Sequence, residues 1–239
     1  MPTRIAYGRS EDAWSGYTNF IVNLIEKENS SRICDVGGGA NPLLSLDVIQ
    51  SKRLRYYLLD MSEAELDKTP SGYLKIRADI AAPDFSINAS ELDLVFSKMV
   101  AEHVRDGRQF HKNVRAILRN NGLAVHFFPT LYALPFLLNR WTPELIVDKL
   151  TDVLTPRDRH QHARFPAFYD WCRGPLRGQI RRFEDLGYEV VEYQGFFGHA
   201  GYYRRLRFMS RLHELTTTWL LKSPSALFTS YAIVVLRKV

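Results

Sequence analysis

The sequence predicts an α/β fold built on a largely parallel sheet. Three observations carry that expectation. Short apolar runs alternate with helical stretches between residues 11 and 129, the rhythm of βαβ units. The run Arg32-Ile33-Cys34-Asp35-Val36 ends in an aspartate and breaks into Gly37-Gly38-Gly39-Ala40-Asn41-Pro42 before a helix can begin. At 239 residues the chain can bury one α/β core, and nothing in its pattern calls for a second.

The elements follow in order. Residues 11–28 read as an amphipathic helix, with Trp14, Tyr17, Phe20, Ile21, Leu24 and Ile25 on one stripe. Strands are expected at 32–36, 55–60, 73–77, 92–97 and 123–128, and helices at 43–50 and 107–119. Asn120-Asn121-Gly122 reads as the stop of the latter helix, just before the fifth strand. Beyond Pro129 the rhythm changes. Residues 131–138 are apolar around Pro135, Trp141 and 143–154 look helical, and 155–173 is rich in Arg, His and aromatics. Two more strands, 188–197 and 230–237, enclose a helical, Arg-rich insert. The expected layout is a single domain over 1–239. It comprises an N-terminal helix (1–30), a cofactor-binding core (31–129), a cap insert (130–186) and closing strands with a helical insert (187–239).

Composition narrows the class. Hydrophobic content of 46% and charged content of 24% are ordinary for a globular protein. Cys34 and Cys172 are too few for a disulfide framework or a Cys-rich zinc site, and Cys34 reads as a small buried hydrophobe. The opening residues lack a secretory apolar segment, and no window reaches the roughly 18 apolar residues of a spanning helix. A cytoplasmic location is the expectation. The net charge of +6 is uneven: seven arginines lie between Arg157 and Arg182 against Asp158 and Asp170. Arg204, Arg205, Arg207 and Arg211 follow with no acid among them. Such clusters suit an anionic substrate, a nucleic acid or an acidic membrane surface, or else a solvated face.

The glycine turn asks for a nucleotide cofactor, because glycines allow φ > 0 and let a ligand approach where a Cβ would clash. A dinucleotide site would want Gly-x-Gly-x-x-Gly. Gly37 and Gly39 fit, but the third place is Pro42, which weakens that reading. Asp60 ends the second strand, where a carboxylate can accept both hydroxyls of an adenosine ribose. Asp79 follows the third strand, placed for an adenine amino group, and Ser97 ends the fourth with a polar side chain toward the same cleft.

With these residues the chain resembles the class I S-adenosylmethionine-dependent methyltransferases. The first motif is Asp35-Val36-Gly37-Gly38-Gly39, the second Asp60, the third Ala78-Asp79-Ile80. Asp93 to Ser97 followed by Ala101-Glu102-His103-Val104 looks like the fourth, and Asn121-Gly122-Leu123 like the fifth. The resemblance implies a Rossmann-like, seven-stranded mixed sheet with helices on both faces, its last strand antiparallel, and a helical cap insert. It implies S-adenosyl-L-methionine as cofactor, with Asp35 in the first motif and Gly37 and Gly39 against the methionine part. Asp60 would hold the ribose, Asp79 with Ile80 the adenine, and Met61 would pack on the adenine face. Asp35 as a turn cap and Asp79 as a surface acid remain the simpler alternatives.

Methyl transfer from a sulfonium needs mainly positioning and water exclusion; a base matters when the acceptor is a hydroxyl. His103, just after the fourth strand, is the candidate base. Some relatives carry Glu-x-x-Glu-His here and bind a metal. This chain has Met99 at the first Glu position, and no metal is expected. His162, Arg164, Tyr169, Trp171 and Arg173 in the cap are the substrate candidates, since aromatic faces and guanidinium forks suit sugars, bases and phosphates. His160 and His162 lack the partners of a zinc site. An apolar run at 127–138 and the stripe Leu212, Leu215, Trp219 and Leu220 add a membrane contact or lipid-linked acceptor to the readings, beside core or a dimer face. The expected activity is O-methylation of a small molecule or glycan, an anionic or lipid-linked sugar fitting the cap. An RNA or nucleotide acceptor is the alternative among enzymes, although Ser97-Lys98-Met99-Val100 lacks the Asn/Asp-Pro-Pro-Tyr/Phe of many base N-methylating enzymes. A non-catalytic cofactor-binding subunit is the alternative outside them.

Overall fold

A computed structural model describes residues 2–89, 91–131, 166–198 and 207–239. The glycine turn leaves the carboxyl end of β2 (Arg32–Val36), a strand buried along nearly its whole length near the centre of the sheet. On one side of it lie β3 (Arg55–Asp60) and then β4 (Leu74–Arg77); on the other lie β5 (Leu92–Lys98) and β6 (Leu118–Pro129). All these neighbours pair in parallel, so their carboxyl ends share one edge. Beyond β6 come β8 (Tyr231–Lys238), β7 (Tyr188–Phe197) and finally β1 (Arg4–Arg9), giving the order β1-β7-β8-β6-β5-β2-β3-β4. β8 runs antiparallel to both β6 and β7, as the sequence predicts for the last strand.

Among the described residues the sheet has eight strands, not seven. The extra one is β1, which pairs in parallel with β7 from Arg4↔Glu192 to Arg9↔Phe197. Its sequence Arg-Ile-Ala-Tyr-Gly-Arg has no alternation to read, because an edge strand with no fully buried residue needs none. The segment 1–30 is therefore strand plus helix. A second difference lies at Asn120-Asn121-Gly122. Helix α4 (Gly107–Ile117) ends earlier, and these residues fall inside β6, where Asn121 takes φ +64 and the register against β5 shifts. A left-handed Asn ends a helix and makes a strand irregularity by the same backbone geometry.

Helices cover both faces. α1 (Ser10–Lys27) buries Ala13, Tyr17, Ile21 and Ile25, each four residues from the next. Tyr17 and Trp14 meet Phe127 of β6 at ring distances of 5.2 Å, so Phe127 faces α1. Its neighbour His126 must face the other way, and it does, packing on Phe110 and His111 of α4. α5 (Arg177–Glu184) lies on that second face through Phe183, which touches His111 and Tyr193. α2 (Leu46–Ser51), α3 (Glu63–Asp67) and α6 (Arg207–Lys222) complete the described helices. Within the expected cap of 130–186, α5 is thus an ordinary layer helix leading into β7.

Candidate functional site

The glycine turn is bare backbone in a left-handed conformation. Gly37 takes φ +75 and Gly39 φ +36, and the Gly37 N–H donates to the Leu59 carbonyl of β3 at 2.7 Å. A Cβ on Gly37 would meet Val100 Cγ2 at 2.3 Å; one on Gly39 would meet Asp60 Oδ2 at 2.8 Å. No side chain fits at either place, so the backbone stays bare between the ends of β3 and β5.

Asp35 lies beneath this turn. Its Oδ2 accepts the Leu43 N–H at 2.9 Å and the Tyr56 hydroxyl at 2.6 Å, and the residue is 3% exposed. Burial lifts its pKa to about 6, opposed by those two hydrogen bonds; nearby Asp60 raises it further and Lys98 lowers it. The turn-capping alternative therefore describes Asp35: it positions the loop from below.

Asp60 caps its own strand end, Oδ1 accepting the Ser62 N–H at 2.9 Å. Burial raises its pKa, with Glu65 adding to the effect and backbone hydrogen bonds opposing it. Met61 beside it is 61% exposed, a large apolar side chain standing at the carboxyl edge. Asp79 is exposed and closes a local turn on the Ala81 N–H at 2.8 Å, while Ile80 is buried. Asn113 of α4 donates to the carbonyls of Ile80 and Ala82, both at 2.8 Å, which fixes this loop at the edge.

Ser97 does not face the cleft. It is fully buried, and its hydroxyl bonds His126 Nδ1 at 2.8 Å across the β5–β6 pair. The strand continues to Lys98, so the edge residue is one further on and the Ser97 side chain points into the α4 layer. Lys98 is the residue the sequence reading passed over. Its ammonium stands 5.1 Å from the Trp14 ring, burial lowers its pKa, and Asp35 pulls the other way. Trp14 in turn meets Phe127 and Tyr231, making an aromatic shelf at the end of β5. Met99 then takes φ +59, a strained turn at the strand end, ahead of the Val100 that covers Gly37.

The 3-10 turn Ala101–His103 carries the candidate base. His103 is at the surface, its Nδ1 3.0 Å from the Pro166 carbonyl. A carbonyl only accepts, so Nδ1 holds the proton and Nε2 carries the lone pair of the neutral ring. Glu102 Oε1 lies 3.7 Å from that Nε2. Glu102 is itself buried, its Oε2 has no partner, and burial pushes its pKa to about 8. Among buried groups on the same face, His126 Nε2 and His111 Nδ1 are also unpartnered. Burial drives His126 to about 3 and His111 well below its ordinary value, so both rings are neutral.

The cap candidates divide. His162 and Arg164 lie outside the described residues. Tyr169 is buried and Trp171 packs on His111 and Phe183, with the Arg182 guanidinium 5.8 Å from its ring. Arg173 donates to the carbonyls of Tyr169 (2.6 Å) and Cys172 (3.1 Å). These three build the segment instead of presenting it, because it is tied down by the Phe168 and Tyr169 N–H groups donating to the Glu102 carbonyl. Among the described residues no group of three His, Cys, Asp or Glu side chains could hold a metal ion. No described helix is long and apolar enough to cross a membrane.

A bare glycine turn on a central strand, with an acid at the next strand tip, is the arrangement with which α/β folds bind nucleotide cofactors at the carboxyl edge. Residues 34–126 match a family model described as a methyltransferase domain. Over that segment the chain is similar to methyltransferase domains, and its fold is that of the class I S-adenosylmethionine-dependent methyltransferases. Solved structures of similar fold include an S-adenosylmethionine-dependent methyltransferase from Clostridium acetobutylicum ATCC 824, 11% identical, covering 94% of this chain and 91% of that one at TM-score 0.57. Another, from Mesorhizobium loti, is 15% identical over 91% and 96% of the two chains at TM-score 0.54. Geranyl diphosphate C-methyltransferase from Streptomyces coelicolor A3(2) is 13% identical over 94% and 77%, also at TM-score 0.54. At such identities the likeness is one of fold. A comparison with curated proteins gave no match.

Proposed function

We propose that this protein methylates a hydroxyl group on a small molecule or glycan, with an anionic or lipid-linked sugar as the acceptor. The observation that carries this reading is the fixed tautomer of His103: with Nδ1–H held by the Pro166 carbonyl, Nε2 is the nitrogen that can take a hydroxyl proton. Glu102 Oε1, 3.7 Å away, would stabilise the imidazolium that results once its carboxyl is ionised. Gly37, Gly39, Asp60, Met61, Asp79 and Ile80 are the residues that would hold the cofactor, and Asp35 would keep the turn in shape. The cofactor supplies an electrophilic methyl group and its own leaving group. Arg177, Arg181 and Arg182, all exposed, support an anionic acceptor.

Turnover to S-adenosylhomocysteine against a panel of sugars, sugar phosphates, phenols and RNA tests the assignment. Activity with a hydroxyl acceptor is expected. His103→Gln should then lower kcat by about 10²- to 10⁴-fold while the cofactor Kd stays unchanged. Methylation of an RNA base, or full activity in His103→Gln, would sink the reading.

A further inference from the structure

Helix α6 is amphipathic the wrong way round. Phe208, Leu212, Leu215 and Trp219 are 77%, 49%, 68% and 62% exposed. At 100° per residue these four side chains fall within an arc of about 60°. The face toward the protein is centred on Thr217, which is buried, with Ser210 and His213 half-buried beside it. A surface helix ordinarily buries its large apolar residues and exposes its small polar ones. Here four large apolar side chains face outward over three turns, and only Leu220 and Leu221 at the helix end are half-buried on the inner side among the described side chains. Two further large apolar side chains, Leu227 and Phe228, are exposed just after the helix.

The charges beside the stripe have one sign. Arg211 and Lys222 are exposed, and by helix geometry they flank the same side of the apolar arc. Glu214 is the helix's single acid; it lies beyond Arg211 on the same flank, farther from the stripe, and is paired with Arg9 at 2.8 Å. The whole chain carries a net +6. An apolar stripe containing Phe and Trp, bordered by cations, is the pattern of a helix lying in the plane of an anionic lipid surface. A second copy of this chain would bring the same positive charges to the same place, which disfavours it as the occupant.

We infer that α6 seats the protein on anionic membranes, its Phe208–Leu212–Leu215–Trp219 stripe entering the headgroup region and Arg211 and Lys222 meeting lipid phosphates. This placement is independent of the methylated atom. It accounts for how an enzyme with no described membrane-spanning helix would reach a lipid-linked acceptor.

The test is flotation of the full-length protein with phosphatidylcholine vesicles and with vesicles of equal parts phosphatidylcholine and phosphatidylglycerol. Binding to the anionic vesicles alone, weakening with salt, is expected. The double variant Leu215→Glu, Trp219→Glu should float at least about tenfold less, since two apolar side chains leave the lipid and two like charges enter it. Its thermal midpoint should match the parent, because exposed residues support no core. Brominated lipids should quench the parent's tryptophan fluorescence more than that of Trp219→Phe. Equal binding to both vesicle types, or none, overturns the inference. So does a parent dimer that the double variant dissociates, which would make the stripe a subunit contact. A large fall in thermal midpoint would also overturn it, showing the stripe covered within the molecule.

Discussion

The two ends of the sheet's carboxyl edge serve their polar groups differently. At the β2–β3 end the acids are met by the chain itself: Asp35 by Leu43 and Tyr56, Asp60 by Ser62. At the β5–β6 end Glu102 Oε2, His111 Nδ1 and His126 Nε2 are buried without partners. The first end is held in one shape before any ligand arrives, which is what a cofactor common to many reactions requires. The second keeps unmet hydrogen-bonding capacity within the layer beside the acceptor's expected position, and such groups call for an explanation in function or bound water. On this contrast, changes at the first end should act on cofactor affinity. Changes at the second should act on stability and turnover.

The largest effect is expected from Gly39→Val. A side chain there collides with the Asp60 carboxylate in a backbone conformation at φ +36 that favours glycine. Calorimetry should show S-adenosylmethionine affinity falling by at least about 100-fold, the combined cost of strain and a displaced carboxylate. Retained affinity would mean that the turn is not the cradle, and the contrast would lose its first half.

Glu102→Gln tests the second half through pH. The carboxyl titrates near 8 in the folded protein against an ordinary 4.5, raised by burial. Between those values the unfolded chain has lost a proton that the folded chain retains, so folding stability declines as pH rises. The loss accumulates from about pH 4.5 to about pH 8 and is flat beyond, with a slope of at most about 1.4 kcal/mol per pH unit. Glutamine has no proton to lose, so the variant's thermal midpoint should gain on the parent's across that window. Its cofactor affinity should not change. A parent and variant with parallel pH profiles would show that Glu102 is ionised and served in solution.

The same contrast explains what the sequence shows. The glycine turn is legible because its meaning is local: consecutive residues fix a backbone path, and Asp60 sits at the tip of a strand whose bounds are plain. Glu102, His126 and Lys98 gain their meaning from neighbours far along the chain. Lys98 becomes informative only when Trp14, from α1, comes to stand beside it. The cap shows the opposite failure. Arginines and aromatics at 169–173 suggest ligand recognition by composition, yet the backbone carbonyls of Tyr169 and Cys172 consume Arg173, and Trp171 fills the α4–α5 layer. Composition states which contacts a side chain can make. It does not state to which side it turns.

Ser97 condenses that problem into one residue, and Ser97→Ala gives the smallest and most discriminating effect. Reading the strand as ending at Ser97 puts its hydroxyl in the cofactor cleft; extending the strand by one residue turns it into the layer with His126. If the hydroxyl faces inward, alanine strands His126 Nδ1 beside an already unpartnered Nε2, and stability falls by about 1–2 kcal/mol. Cofactor affinity should then be unchanged, because Tyr17 bonds the Ser97 carbonyl, which alanine retains. If the hydroxyl faced the cleft, the signs would reverse, with S-adenosylmethionine binding weakened and the melting curve left in place. Chemical denaturation and calorimetry on one variant therefore decide the direction of a single side chain. That direction fixes where the cofactor end of the edge stops and the buried histidine layer begins.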